Sequence, residues 1–185
     1  TTSLSKFRGS WRRMEYRGKL KVVSCKLKVE VYDDYGHHPT EIRATLRAFK
    51  EKFPRRKIAC VYQPHQVKRL KLLFSDFVEA FQDADLLVLL PVYQVAGREQ
   101  VESFKLKVER FTSETLAEEI RKKYKQVRVV YLDDVRGFRQ KMEKILREHV
   151  QSPTPPSHKA SGGQCVLVMM GAGDIFQLTD RLIVK

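Results

Sequence analysis

The chain has 185 residues, 42% hydrophobic and 10% aromatic, enough for one domain with a core of its own. No apolar run approaches the ~18 residues of a membrane span, and the Thr1-Thr2-Ser3-Leu4-Ser5-Lys6 start carries no apolar secretion signal. A net charge of +14 makes a surface that attracts polyanions, whether nucleic acid, nucleotides or anionic lipid, without choosing among them.

Lys19 to Val31 alternates apolar and charged positions through Leu20, Val22, Leu27, Val29 and Val31, as strands with one wet face do. It runs into Asp33-Asp34-Tyr35-Gly36-His37-His38-Pro39-Thr40-Glu41, a loop of two carboxylates, a phenol and two imidazoles. Pro39 suits the first turn of a helix, and Ile42, Leu46, Phe49 and Phe53 follow at helical spacing. Ile58 to Tyr62 is a short apolar run before Pro64, hence a buried strand. Leu70 to Phe81 places Phe74, Phe77, Val78 and Phe81 on one stripe, which predicts a single helix. Leu86 to Val92 is a continuous apolar strand.

Residues 98 to 111 alternate apolar residues with lysines and read either as an edge strand or as an extended loop. A helix is predicted from Ser113 to about Tyr124, capped by Ser113 or Thr112. Val127 to Leu132 reads as a strand and Val135 to His149 as a helix. The Pro-, Ser- and Gly-rich residues 151 to 163 read as a flexible loop, and Cys165 to Met169 as the last buried strand, closed by Gly171-Ala172-Gly173-Asp174. Cys25, Cys60 and Cys165 lie far apart in apolar stretches, without metal spacing, and read as buried reduced thiols of a cytoplasmic protein.

Strands alternating with helices imply an α/β fold, a Rossmann-like three-layer domain with a mainly parallel sheet and helices on both faces. Right-handed crossovers then bring the strand exits to one rim. In order these are Asp33 to His38, Gln63 to Arg69, Tyr93, Asp133-Asp134 and Gly171 to Asp174, where most of the unusual polar residues fall. That concentration predicts a ligand site. No Gly-x-x-x-x-Gly-Lys-Ser/Thr loop, Gly-x-Ser-x-Gly elbow or His-x-x-x-His pair occurs, so a phosphate loop, serine hydrolysis and a metal site are not expected. His65 and Arg69, with Lys68 beside them, suit a carboxylate or phosphate.

The nine residues from Asp33 to Glu41, with Ile42 after them, resemble the signature of the L-alanine-adding branch of the Mur ligase family. Three further segments agree in order. Phe7-Arg8-Gly9-Ser10-Trp11-Arg12-Arg13 is similar to that family's junction between its central and C-terminal domains. Tyr62-Gln63-Pro64-His65, with Asp76-Phe77-Val78-Glu79-Ala80-Phe81 after it, and Gly171-Ala172-Gly173-Asp174-Ile175 match later segments.

The resemblance implies the C-terminal third of a cytoplasmic enzyme. Residues 1–18 would be the junction from a central ATP-binding domain and 19–185 the C-terminal domain. A start without Met agrees with a processed chain or a piece of a longer one. The implied reaction joins L-alanine to UDP-N-acetylmuramate for peptidoglycan synthesis, through an acyl phosphate made with ATP. ATP and Mg2+ would be held mainly by the central domain, with the chain's own N-terminal and central domains as partners. The isolated domain would be inactive.

By the same resemblance, Arg13 is catalytic and Asp34, Tyr35 and His37 contact the nucleotide. His65, Gln66 and Arg69 receive the amino acid. Gln66 stands where an arginine is usual, and Pro91 replaces an acidic residue. A different class of reading remains open: a basic module, derived from such a ligase, that binds nucleic acid or another polyanion without ligase activity.

Overall fold

The computed structural model describes residues 10–22, 27–93, 111–151 and 164–183. The readings of Phe7 to Gly9, of Cys25, of the 98–110 segment and of the 152–163 loop fall outside these residues.

The alternating run before the signature loop resolves into two strands. β1 (Glu15–Val22) and β2 (Leu27–Asp34) pair antiparallel, with Leu20 opposite Val29 and Val22 opposite Leu27. The chain then alternates helix and strand: α1 (Pro39–Lys52), β3 (Lys57–Tyr62), α2 (Val67–Leu72), α3 (Phe74–Glu79), β4 (Leu86–Leu89), α4 (Ser113–Lys123), β5 (Arg128–Tyr131), α5 (Phe138–Gln151), β6 (Gln164–Met170) and α6 (Ile175–Leu182). The six strands lie in the order β1-β2-β6-β3-β4-β5. Among the described residues every pairing from β2 to β5 is parallel, and β1 alone pairs antiparallel, at one edge.

Strand alternation divides the core into two layers. Cys60, Tyr62, Val168 and Met170 face Ile42, Leu46 and Phe49 of α1, Phe77 of α3 and Leu116 and Ile120 of α4. Ala59, Val61, Leu167 and Met169 face Phe138, Met142 and Leu146 of α5 and Ile175 and Leu182 of α6. The expected three layers are therefore present, and the parallel strands release their chain on a single rim. Among the described residues, no helix is long and apolar enough to cross a membrane.

Local chemistry sets the helix ends. His38 accepts from the Thr40 N–H at 3.3 Å while Glu41 accepts from the His38 N–H at 3.1 Å, closing a capping box at the start of α1. Thr112, rather than Ser113, caps α4, accepting from the Thr115 N–H at 3.1 Å. α5 begins at Phe138 instead of Val135. Asp134 accepts from the Arg136 N–H at 2.7 Å, and Gly137 adopts φ +60°, so the preceding residues form a turn.

The predicted helix from Leu70 to Phe81 is divided at Leu73, whose φ of −114° and ψ of 26° leave the helical region. Leu70, Phe77 and Phe81 remain buried while Leu72 is 81% exposed, so the apolar stripe survives the break. Periodicity reports which residues face the core, and is blind to one residue's dihedral angles. Cys60 and Cys165 are buried free thiols, with burial pushing Cys165 up to about 12.

His149 on α5 is 3% exposed, and neither ring nitrogen has a hydrogen-bond partner among the described residues. Burial, with Lys57 adding to it, lowers its pKa from 6.5 to about 4. The unfolded chain therefore binds a proton that the fold resists. Stability should be full above pH 6.5 and fall by up to ~3 kcal/mol as the pH drops toward 4. Urea titrations at about pH 7.5 and about pH 4.5 should show this loss, and His149→Leu should remove most of it. An unchanged pH slope in that variant would refute the assignment.

Candidate functional site

The β2 exit places two adjacent carboxylates on opposite sides, as a strand must. Asp33 is buried. It accepts from the Thr179 hydroxyl of α6 at 2.5 Å and pairs with Arg17 of β1. Burial raises its pKa, against the opposing effects of Thr179, Arg17 and Arg12. Asp34 is also buried and gathers the loop around itself. It accepts from the Met14 N–H at 2.9 Å, the Gly36 N–H at 2.8 Å and the Thr45 hydroxyl at 3.3 Å, with Arg13 Nη1 at 4.0 Å. A Cβ on residue 36 would stand 2.9 Å from Asp34 Oδ1, so the turn requires glycine.

With both aspartates turned inward, Tyr35 and His37 are the loop's half-buried side chains. Their rings meet edge-on at 5.2 Å, and His37 Nδ1 lies 3.1 Å from the Tyr35 carbonyl oxygen. Glu41 accepts from the His37 N–H at 2.9 Å and stands 3.4 Å from Arg13 Nη2. Burial opposes its charge, but the His37 and His38 N–H groups and the nearby cations bring its pKa below the usual range.

The residue that joins this loop to the rest of the rim is Arg12, which the sequence did not single out. Its guanidinium is buried and donates to the Gly171 and Gly173 carbonyls beyond β6. Its backbone carbonyl accepts from the Tyr35 N–H at 2.6 Å, and Asp34 O accepts from the Gly171 N–H at 3.1 Å. The rings of Trp11, Tyr35 and Phe176 surround the cation at 5.6, 5.3 and 5.2 Å. Burial lowers its pKa, opposed by Asp33, Tyr35 and Asp34. Arg12 and Met14 have φ of 51° and 46°. In this turn Arg12 goes inward, leaving Arg13 half-exposed across the Tyr35 ring at 5.8 Å. No spacing rule separates two adjacent arginines, so only backbone conformation could have revealed their division of roles.

At the β3 exit, the Tyr62 hydroxyl donates to the His37 carbonyl at 3.4 Å, tying this loop to the first. The His65 ring stacks on Tyr93 at 5.4 Å, and the Tyr93 hydroxyl donates to Asp174 at 3.2 Å. A Cβ at Gly173 would stand 2.8 Å from the Tyr93 ring, so this glycine permits the contact between the β4 and β6 exits. Gln66 is exposed at the start of α2, with a left-handed φ of 67°. Among the described residues Arg69 Nη1 is buried without a hydrogen-bond partner, and its charge is felt at the Tyr62 hydroxyl.

Arg13, Tyr35 and His37 thus form one group, and His65, Gln66 and Arg69 a second, with Tyr62 and the Gly171 turn between them. Asp34 belongs to the support beneath the first group. At the β5 exit, Asp134 bonds Lys141 at 2.8 Å and the Arg136 N–H, which fixes its own turn. Among the described residues no three His, Cys, Asp or Glu side chains converge to hold a metal ion. The rim offers cations and an aromatic wall, suited to anionic ligands.

Comparison with known proteins shows the family. The family model described as "Mur ligase, glutamate ligase domain" matches residues 12–151. A UDP-N-acetylmuramate–L-alanine ligase of Geobacter sulfurreducens is 36% identical over 97% of the chain and 32% of its own length. One from Desulfatibacillum aliphaticivorans is 32% identical over 98% of the chain and 33% of its own length. The chain therefore spans about a third of the length of these relatives. The crystal structure of a UDP-N-acetylmuramate–alanine ligase from Thermotoga maritima superposes with a TM-score of 0.58 at 24% identity, over 98% of the chain and 31% of that protein, and shares the fold.

If Arg12 joins the two loops, Arg12→Ala should cost roughly 1.5–3 kcal/mol, the scale of losing hydrogen bonds from a charged donor. Amide exchange should speed up at Tyr35 and Gly171 first, ahead of the β3 and β4 amides. Uniform acceleration across the sheet would contradict a local joint.

Proposed function

The chain belongs to the Mur ligase family, and from that membership we propose that it is the C-terminal domain of an ATP-dependent ligase joining L-alanine to UDP-N-acetylmuramate. The observation that supports the reading is Arg69, a cation at the strand exits whose buried Nη1 has no hydrogen-bond partner among the described residues. A buried donor without a partner is costly, and an arriving carboxylate would relieve it with a charge-assisted bond. His65 and Gln66 flank that position on the same loop.

In this reading the domain brings the amino acid and closes over the nucleotide. Tyr35 and His37 form the wall facing the nucleotide. Asp34 acts from beneath by holding the Gly36 turn and orienting Arg13. Arg13, half-exposed on the Tyr35 ring and paired with Glu41, is the cation placed to meet a phosphoryl oxygen. ATP supplies the phosphoryl group that activates the muramoyl carboxylate. What this chain contributes is position and charge, which dominate such transfers.

By family membership, ATP phosphates and Mg2+ are assigned mainly to a central domain. Residues 1–18 would be the junction to that domain and 19–185 the domain itself. A cytoplasmic place in peptidoglycan synthesis, and inactivity of the domain alone, complete the proposal.

Gln66 modifies the amino-acid site. An arginine there would add a second charge-assisted bond to the substrate carboxylate, whereas Gln66 offers a neutral donor. ADP release by the full-length protein with UDP-N-acetylmuramate should depend on alanine, and Arg69→Ala should raise the alanine KM about tenfold or more. Gln66→Arg should lower it. If both variants leave KM unchanged, the carboxylate assignment is wrong; if no amino acid releases ADP, the ligase reading itself fails.

A further inference from the structure

The site at the strand exits does not absorb the charge of +14. A second concentration of cations lies on the face of β1 and β2 directed toward α1. Leu20, Val22, Leu27, Val29 and Val31 occupy the other face, buried against α5 and α6. Alternation therefore leaves Lys19, Lys21, Lys28, Glu30 and Tyr32 together, and the register shift between Tyr16 and Gly18 brings Tyr16, opposite Tyr32, onto the same face. Lys19, Lys21 and Lys28 are exposed, and Tyr16 is 50% exposed.

Neighbouring elements add charge of the same sign. Lys52, at the end of α1, holds its ammonium 5.6 Å over the Tyr32 ring. Arg56 lies 5.0 Å over Phe53 and pairs with Glu30 at 3.0 Å. Glu30, the carboxylate among these lysines, is thus already engaged. Lys21 lies directly opposite Lys28 in the register.

Lysines on an edge strand discourage pairing with another chain, which accounts for Lys19 and Lys21. They do not account for Lys28, on the inner strand of the hairpin, where a like charge opposite Lys21 repels. A pair that the fold itself disfavours points to a counter-charge from outside. Tyr16 adds a second property. Its ring stands edge-on to Tyr32 at 5.3 Å and is open on its outer side, beside the row of cations.

We propose that this face binds single-stranded nucleic acid, with Lys19, Lys21 and Lys28 on the phosphates and Tyr16 stacking on a base. Lys19 and Lys21 alternate along one strand, about 6.6 Å apart, a spacing a phosphodiester backbone can follow. Cations flanking an open aromatic ring are the common design of such surfaces. A lipid surface is disfavoured because the other exposed large apolar residues among those described, Trp11 and Leu72, lie on the signature rim and on α2. The proposal is independent of the ligase reading, since none of these residues belongs to that site.

The test is fluorescence anisotropy of the full-length protein with a labelled mixed-sequence RNA or DNA strand of about twelve nucleotides. Affinity should fall with salt, with a log–log slope of about −2 for three phosphate contacts. Lys21→Glu should weaken binding at least tenfold while keeping or raising the thermal midpoint, because it removes the repulsion at Lys28. Tyr16→Ala should weaken the oligonucleotide and leave inorganic polyphosphate unaffected. Lys144→Glu, on α5 in the opposite layer, should change little. The proposal is overturned by no binding at about 50 mM salt, by equal losses in Lys21→Glu and Lys144→Glu, or by phosphatidylserine vesicles binding as tightly as the strand with Tyr16→Ala silent.

Discussion

A buried guanidinium that donates to backbone carbonyls sets the geometry of the rim. Arg12 reaches the carbonyls of Gly171 and Gly173 while its own carbonyl holds the Tyr35 N–H, so one residue closes the β2 and β6 exits on each other. Burying a charge is costly unless it is compensated. Here compensation comes from two carbonyl dipoles, three aromatic faces and the field of Asp33 and Asp34. The glycines follow from the same constraint. Gly171 has φ of +152°, and a Cβ there would stand 2.9 Å from the Gln63 carbonyl.

That arrangement gives the two signs of charge different work. Asp33, Asp34 and Glu41 are consumed by N–H groups, hydroxyls and cations of the chain, so the carboxylates of the signature loop hold the fold. Arg69 keeps an unsatisfied nitrogen, and Arg13 remains half-exposed. Signature-loop carboxylates bonded within the chain, beside an Arg69 nitrogen with no partner among the described residues, suit the rim to a negatively charged ligand. The same logic applies at the hairpin face, where Glu30 is taken by Arg56 and the lysines outnumber it.

Much of this was legible in the residues. The apolar strands from Ile58 and Leu86 and the last strand were visible because parallel strands covered on both faces read as continuous apolar runs. Pro39 at the start of α1 was legible from its local chemistry, whereas the capping box of His38 and Glu41 emerged only from the structure. The division of Leu70 to Phe81 at Leu73 was hidden, since both halves present the same stripe. Within the site, His65, Gln66 and Arg69 could be read as one cluster because they lie close together in the chain, at the β3 exit and in the first turn of α2. Arg12 could not, because its partners Gly171 and Gly173 are about 160 residues away along the chain.

Sequence alone determined the class of fold, the rim on which the polar residues gather, and a signature loop specific enough to point to a family. Those properties follow from periodicity and local chemistry, which act between residues close in the chain. Tertiary structure alone decided which of two adjacent arginines is buried, which aspartate faces α6, and which side of the β1–β2 hairpin carries the lysines. Each of these depends on strand register and on contacts between distant segments. Asp34 shows the difference: the sequence presents it as a polar group at a strand exit, while packing turns it inward to organise the loop whose Tyr35 and His37 face out.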